Sequence, residues 1–534
     1  MRQPKPVWAC GAANSNSVVR LRGRKVFGSP APWRGVRGLR TAGLAAVCVV
    51  ACTVGAVAFA DAPVSAEPPA WSALLISGGG VPSSNAVAHE KNLLFVDRVL
   101  RGQGLDEAAI QTYVSVGRET LPDTAYLGEF PHERWELVVL ARLFGGASSL
   151  GLRYRPHEIA GPAGSARKAD VLGALRDAVA ELDDGQTLLL YTTDHGVPDP
   201  RREGESALVL WGDDTLSTRE LREVLDAGPQ RGRVILHMSQ CFSGGFAHAM
   251  FADDSTAVTG QERCGFFSAL PDRIATGCTP DLNEADYDDY TTRFFAALSG
   301  RDRVGRTVDS ADYDEGGRVS LAEAHAYAVG TQDTIDVPMK TSEFYLEHIG
   351  VDPTAGWKQA LAAATPDELA AWRFLSQRLE LTEGDPAAQI RQARTRLERQ
   401  RQEWSRQQRE WEPDAGEAAS RLRVGLLERW PVLESPFHPE FAPTLEDGGE
   451  QIRDYLSGAR AFAEWQAALA EMSRLSAKLA AAELEDAWWL RAQRLSEHLR
   501  RAARLAADSK ETAEWPQWAA FERLRACEAA IPAD

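Results

Sequence analysis

Two residue types that together make a nucleophile and a base stand at the ends of two apolar runs. Leu188-Leu189-Leu190-Tyr191-Thr192-Thr193-Asp194-His195-Gly196 closes on a histidine, and Val234-Ile235-Leu236-His237-Met238-Ser239-Gln240-Cys241 closes on a cysteine. A cysteine attacks as its thiolate, which aligned backbone N–H groups or a positive neighbour favour. An imidazole titrates where it can take up and return a proton near neutral pH. Each run is short, rich in β-formers and stopped by small or polar residues, the pattern of a buried strand. Chemistry in an open α/β sheet collects at the carboxyl ends of the strands. His195 and Cys241, 46 residues apart, are therefore expected at one sheet edge. Phe242-Ser243-Gly244-Gly245 predicts a sharp turn that lets a substrate backbone approach. His237 lies four residues before the cysteine, about 13 Å away along an extended strand, and reads as a core or strand-face residue.

Thr193-Asp194-His195-Gly196 followed by Ser239-Gln240-Cys241-Phe242-Ser243-Gly244 resembles the legumain and caspase clan of cysteine peptidases, closest to the legumain-type branch. The likeness covers residues 71–350. It implies a caspase-like α/β fold, a mainly parallel sheet flanked by helices. It also implies that Cys241 attacks a peptide carbonyl to form a thioester and that His195 shuttles the proton. The N–H groups of Gly196 and Cys241 would form the oxyanion hole, and Asp194 and Ser239, with Asn85 and His89, are the candidate orienting or substrate-binding residues. The family supplies an orienting asparagine and a specificity arginine after its first strand. Asn85 is near the expected asparagine and His89 follows it, while residues 81–89 hold no arginine. Specificity for asparagine is therefore not carried over. An amine in place of water as acceptor would make the enzyme a transpeptidase or ligase.

Residues 312–323, Asp312-Tyr313-Asp314-Glu315-Gly316-Gly317-Arg318-Val319-Ser320-Leu321-Ala322-Glu323, resemble a calcium loop of the EF-hand type. Asp312, Asp314, Ser320 and Glu323 fall at positions 1, 3, 9 and 12, with glycine at 6. Gly316 stands at position 5 in place of a ligand, and no clear entering helix precedes the loop. The expected ion is a structural Ca2+, not a catalytic one; an acidic surface turn is the alternative.

The elements that must position these groups follow from patterning. Residues 73–76 form a first strand before Ser77-Gly78-Gly79-Gly80, and residues 91–100, 135–144 and 168–182 have helical periodicity. A strand at 207–211 and a helix at 217–225 separate the dyad members. The alternation predicts parallel strands with helices on both faces. Past residue 350 glycine becomes rare. Ile390, Leu397, Trp404 and Trp411 recur at seven-residue steps, and Tyr455, Phe462 and Leu469, with Trp465, Met472 and Leu479, mark a second stripe. These predict an all-α region of long helices over 351–534 that pack on each other or on a protein partner, broken by the proline-rich segment 431–443.

A chain of 534 residues exceeds what one core normally serves, so a caspase-like peptidase domain over 61–350 and a helical domain over 351–534 are expected. Residues 1–60 hold nine Lys/Arg and no acid, leaving 50 basic and 76 acidic residues beyond them. That acidity excludes nucleic acid as the expected partner and suits a protein or peptide substrate. Residues 1–60 read as a signal peptide: Arg34, Arg37 and Arg40 precede the small apolar stretch 42–58, and Ala58-Phe59-Ala60 is a cleavage pattern. The expected location is secreted or periplasmic. An uncleaved membrane anchor and a lipoprotein acylated at Cys52 are the alternatives. Beyond the leader Cys264 and Cys278 form the candidate disulfide pair, with two buried thiols as the alternative. A second class of function also fits: a calcium-responsive scaffold whose peptidase-like part binds peptides and whose helices recruit a partner.

Overall fold

The structure is a computed structural model that describes residues 70–129, 134–252, 255–509 and 515–532. The expected signal peptide, its cleavage pattern and Cys52 lie outside the described residues. Among the described residues no helix is long and apolar enough to cross a membrane.

The strands are β1 (Trp71–Ser77), β2 (Ile110–Val114), β3 (Thr124–Leu127), β4 (Leu152–Arg155), β5 (Thr187–Thr192), β6 (Gly196–Pro198), β7 (Ser206–Leu210), β8 (Asp214–Ser217), β9 (Arg233–Met238), β10 (Glu262–Phe267) and β11 (Met339–Lys340). The helices are α1 (Val87–Gly102), α2 (Trp135–Phe144), α3 (Lys168–Ala180), α4 (Thr218–Ala227), α5 (Tyr290–Ser299), α6 (Leu321–Thr331), α7 (Thr341–His348), α8 (Trp357–Ala363), α9 (Pro366–Arg378), α10 (Ala387–Arg429), α11 (Phe441–Gly458), α12 (Arg460–Ser509) and α13 (Pro516–Glu528). Six strands form the central sheet in the order β11-β10-β9-β5-β1-β2. Every pairing is parallel except β10 with β11. This is a mixed α/β fold with a mostly parallel sheet, flanking helices and a long helical region behind it.

The unbroken apolar character of β1, β5 and β9 follows from burial on both faces. Leu74, Ile76, Leu188 and Leu190 point into one core with Val171, Leu175 and Leu225. Ala73, Leu75, Leu189 and Tyr191 point into the other with Phe95, Phe294 and Phe295. His237 is buried in that second core, 4.5 Å from the Phe294 ring and 5.2 Å from that of Tyr290. Burial lowers its pKa to about 3, so it is a neutral core residue as its position in the strand suggests.

The strand expected at 207–211 exists as β7, but it lies outside the central sheet. It pairs antiparallel with β6 and β8 in a separate three-stranded ribbon. A buried strand reads alike in sequence whichever sheet it joins, so the pattern alone could not separate them.

The helical region is not packed apart from the sheet. Helices α10 and α12 run antiparallel, with Arg394 against Asp486 near one end and Arg421 against Glu464 near the other. Ala487, Leu505, Phe521 and Leu524 enter the first sheet core, and Cys527 enters the second. Val139, Leu140 and Leu143 of α2 pack with Leu422, Leu426, Ile452 and Trp465. Ile390 and Leu397 of the first heptad stripe are buried, whereas Trp411 is exposed. The second stripe crosses a break between α11 and α12, so Tyr455 and Phe462 belong to different helices.

The disulfide differs from the expected pair. Cys264 of β10 bonds to Cys527 of α13, with Cα atoms 6.0 Å apart. Cys278 is itself disulfide-bonded, to a partner other than Cys264.

Candidate active site at the carboxyl edge of the sheet

Strands β5 and β9 are neighbours, with Thr192 opposite Met238, so His195 and Cys241 leave the sheet at the same edge. The two strand ends are tied together: the Thr192 hydroxyl donates to Gln240 Oε1 at 2.8 Å, and Ser239 N donates to Thr192 O at 2.8 Å. Gly196 lies against the backbone of Cys241. A Cβ at Gly196 would collide with the carbonyl oxygen of Cys241, so only glycine fits between the turns. Directly after the cysteine, Phe242 adopts φ 60°, a left-handed conformation that costs energy for a bulky residue. The turn is held by Phe242 N donating to Arg273 O and by the Ser206 hydroxyl donating to Phe242 O, at 2.7 and 2.5 Å.

His195 is half-buried and oriented by a backbone group. Its Nε2 lies 2.8 Å from Ser84 O. A carbonyl only accepts, so Nε2 carries the proton and Nδ1 is the basic nitrogen of the neutral ring. Nδ1 lies 3.8 Å from Cys278 Sγ. The buried Asp194 carboxylate accepts from Gly78 N (2.5 Å), Gly79 N (2.9 Å) and His195 N (2.6 Å). Burial raises its pKa, against the opposing pull of His195 and these N–H groups. Asp194 thus holds the Gly-rich loop after β1 against the histidine turn.

The other expected residues divide. Asn85 is committed elsewhere: its side-chain amide donates to Asp123 O at 2.9 Å, and Ala125 N donates to its backbone carbonyl. The orienting acceptor is the carbonyl of the preceding residue, Ser84, because Asn85 anchors the loop to β3. His89 does reach the site. Its ring stands edge-on to His195 at 5.3 Å, with Nε2 3.2 Å from Cys278 Sγ. Burial, and then the neighbouring His195, holds its pKa well below the usual value, so it stays neutral. The Ser239 hydroxyl accepts from Thr291 Oγ1 at 2.7 Å, which commits it to α5.

Cys241 is sealed. Ala275 N donates to its Sγ at 3.2 Å, and Sγ donates to Ala275 O at 3.7 Å. Ala269 and Ala275 enclose it, with Phe242, Ile274 and Cys278 beside them. Burial pushes the thiol pKa up to about 12; Ala275 N–H opposes the shift and the Asp336 carboxylate adds to it. Asp336 is also fully buried. It accepts from Thr276 N at 2.6 Å and from the Thr276 hydroxyl at 3.0 Å. Burial raises its pKa to about 7, opposed by those bonds and by Arg491. The segment 273–280 therefore meets both chemical residues, Cys241 through Ala275 and His195 through Cys278. No local signal in the sequence marks Ser84, Ala275 or Asp336 for these roles.

The calcium loop is a formed turn. Asp312, Asp314 and Glu323 bring carboxylate oxygens within 4.8 Å of one another. Gly317 N donates to Asp312 Oδ2 at 3.0 Å, and Gly316 N to Asp314 Oδ1 at 2.8 Å. Asp312 Oδ1 is buried without a hydrogen-bond partner. Ser320 and Glu323 have a second role: they form the capping box of α6. Glu323 Oε2 accepts from Ser320 N and Oε1 from Tyr313 N, at 2.8 and 2.7 Å. The Ser320 hydroxyl donates to Glu323 Oε2 at 2.9 Å and so serves the helix start.

No protein-family profile matches the chain, and no curated protein does. Among solved structures, the protein GSU0716 of Geobacter sulfurreducens is similar at 13% identity, with a TM-score of 0.30 over 51% of this chain and 92% of that one.

Proposed function

We propose that the chain is a cysteine endopeptidase of the legumain and caspase clan. Cys241 attacks a peptide carbonyl, and its sulfur bonds to the carbonyl carbon. His195 Nδ1 takes the thiol proton and passes it to the leaving amine. Water, deprotonated by His195, then cleaves the thioester and regenerates the thiol. The N–H groups of Gly196 and Cys241 face the developing oxyanion. One observation carries this reading. Asp194-His195-Gly196 and Cys241-Phe242-Ser243-Gly244 end adjacent parallel strands, and the basic nitrogen of the histidine faces the loop that also holds the thiol.

A peptide-based electrophilic probe tests it. Labelling at Cys241, lost in Cys241→Ala and reduced in His195→Ala, is the expected result. Hydrolysis of a peptide library that survives in Cys241→Ala would overturn it. Product analysis with an added amine separates the hydrolase from a transpeptidase or ligase. The sealed thiol is the observation that favours the scaffold reading, in which peptides are bound and not cut.

A secreted or periplasmic location is part of the proposal. The Cys264–Cys527 bond supports it, because disulfides persist in oxidising compartments. We further propose that Ca2+ binds at Asp312, Asp314 and Glu323. The unpartnered Asp312 Oδ1 supports this. The ion would stabilise the start of α6 and take no part in the chemistry. No nucleic acid is proposed as a partner, and the helical region remains the candidate surface for a protein partner.

A further inference from the structure

Segment 273–280 runs past the carboxyl ends of β9 and β5 and is held at several points. Arg273 O accepts from Phe242 N, Ala275 brackets the Cys241 thiol, and Thr276 binds Asp336. Cys278 Sγ lies beside His89 and His195. Thr279 O then accepts from Ala88 N, and Pro280 O from Leu127 N at 2.7 Å. Gly277, in the middle, has φ 123°, a conformation that a residue with a Cβ rarely adopts. The anchor of this segment comes from the helical region. Arg491 of α12 is buried and stacks on Trp488. Its guanidinium donates to three backbone carbonyls of one short loop: Asp336 O at 2.8 Å, Gln332 O at 2.8 Å and Thr334 O at 2.6 Å. A planar fork with five donors suits such a task, and lysine would not replace it.

We propose that residues 273–280 form a strap that withholds Cys241 from substrate, latched from the C-terminal helices through Arg491, the loop 332–336, Asp336 and Thr276. This rests on Cys241 being the nucleophile proposed above. In the latched state the thiol has no route to a peptide carbonyl, because the backbone of Ala275 occupies that place. A partner or ligand that displaces α12 from the loop 332–336 would free Asp336 and let the strap move at Ala275 and Thr276, between its hold at Arg273 and the disulfide-bonded Cys278. Asp336 and Arg491 are positioning residues; neither touches the reacting atoms.

The test reads the thiol directly, so it is independent of peptidase activity. The full chain, with its disulfides intact, is treated with iodoacetamide, and Cys241 modification is followed by peptide mass. Asp336→Ala and Arg491→Met are each expected to raise the labelling rate at least about tenfold, the change that loss of a hydrogen bond to a charged group brings. Thr276→Val keeps the volume, removes only the hydroxyl bonds and should raise the rate by a smaller factor. An unchanged rate in Asp336→Ala, with a cooperative melt like that of the wild type, overturns the strap. Where Asp336→Ala or Arg491→Met does not melt cooperatively, Thr276→Val decides, and an unchanged rate there overturns it. Faster labelling without hydrolysis of any peptide keeps the strap and removes the peptidase reading.

Discussion

The two strand ends that carry the dyad are finished in opposite ways. At the end of β5, His195 is half-buried and aimed. Ser84 O fixes its tautomer, and Asp194 fixes its turn against Gly78 and Gly79. At the end of β9, Cys241 is fully buried, bonded on both sides by Ala275, and held far up its titration range. In the proposed mechanism the base is prepared while the nucleophile is withheld. Preparing the base takes contacts local to the loops after β1 and β5. Withholding the nucleophile takes residues from the far helices. The difference teaches that aiming and access are built by separate parts of this molecule.

The strongest way to break the comparison is to remove its two members. Cys241→Ala should abolish hydrolysis, and His195→Ala should lower kcat by about 10²–10⁴-fold, measured on a cleavable peptide. The double variant should lose little more than Cys241→Ala alone, since the pair acts as a unit. Additive losses would mean that the two strand ends do not work together.

The withheld thiol makes a prediction about pH. Its pKa stands at about 12 in the fold against an ordinary 9.0. Burial favours the neutral form, so alkylation of Cys241 should keep rising as the pH passes 9, without a plateau there. The matching stability term is present below about pH 9 and is lost as pH rises towards 12, because the unfolded chain releases that proton first. A plateau near pH 9 in the native protein would show that the Cys241 thiol is not withheld.

Breaking the covalent tie between sheet and helices comes next. Cys527→Ala should cost about 2–5 kcal/mol, read from denaturant midpoints under oxidising conditions. Asp194→Ala removes the acceptor for three buried N–H groups and should cost about 2–3 kcal/mol. It should also lower kcat by disturbing the histidine turn. Loss of stability with kcat unchanged would separate the turn from the aim of His195.

The smallest effect belongs to the acidic loop. Calcium at ten times its Kd should add about 1.4 kcal/mol of stability, seen as a higher Tm that chelator reverses and that Asp312→Ala abolishes. Affinity should be weak, in the range of about 10⁻⁴–10⁻³ M. Identical melting curves at millimolar calcium would leave residues 312–323 as a capped turn.

What could be read from the sequence was local. The buried runs at β1, β5 and β9, the turns after them, and α2 with its limits at Trp135 and Phe144 all carry their signal within a dozen residues. The dyad stood out because a histidine and a cysteine each ended such a run. The rest was long-range. Arg491 reaches carbonyls more than 150 residues away, and the Cys264–Cys527 bond spans 263. No spacing rule predicts either. Ser320 and Glu323 show a different obstacle. The positions of a calcium loop and those of a capping box coincide there, and the backbone N–H groups decide which role the side chains take. Asn85 lies in the loop after β1, but its side chain bonds to Asp123 O, and it is the carbonyl of its neighbour Ser84 that meets the His195 ring.

The disulfide has a consequence for how the molecule is assembled. Strand β10 is made 263 residues before the cysteine that closes on it. Glu528, beside that cysteine, also receives Ser342 N and lies near Lys340. A chain that emerges from its amino end therefore carries its dyad strands early and its closing helix late. Until α13 arrives, both sheet cores lack part of their wall. Arg491 of α12 is made before α13, so an emerging chain holds its latch residue before the helix that carries Cys527 can close on β10.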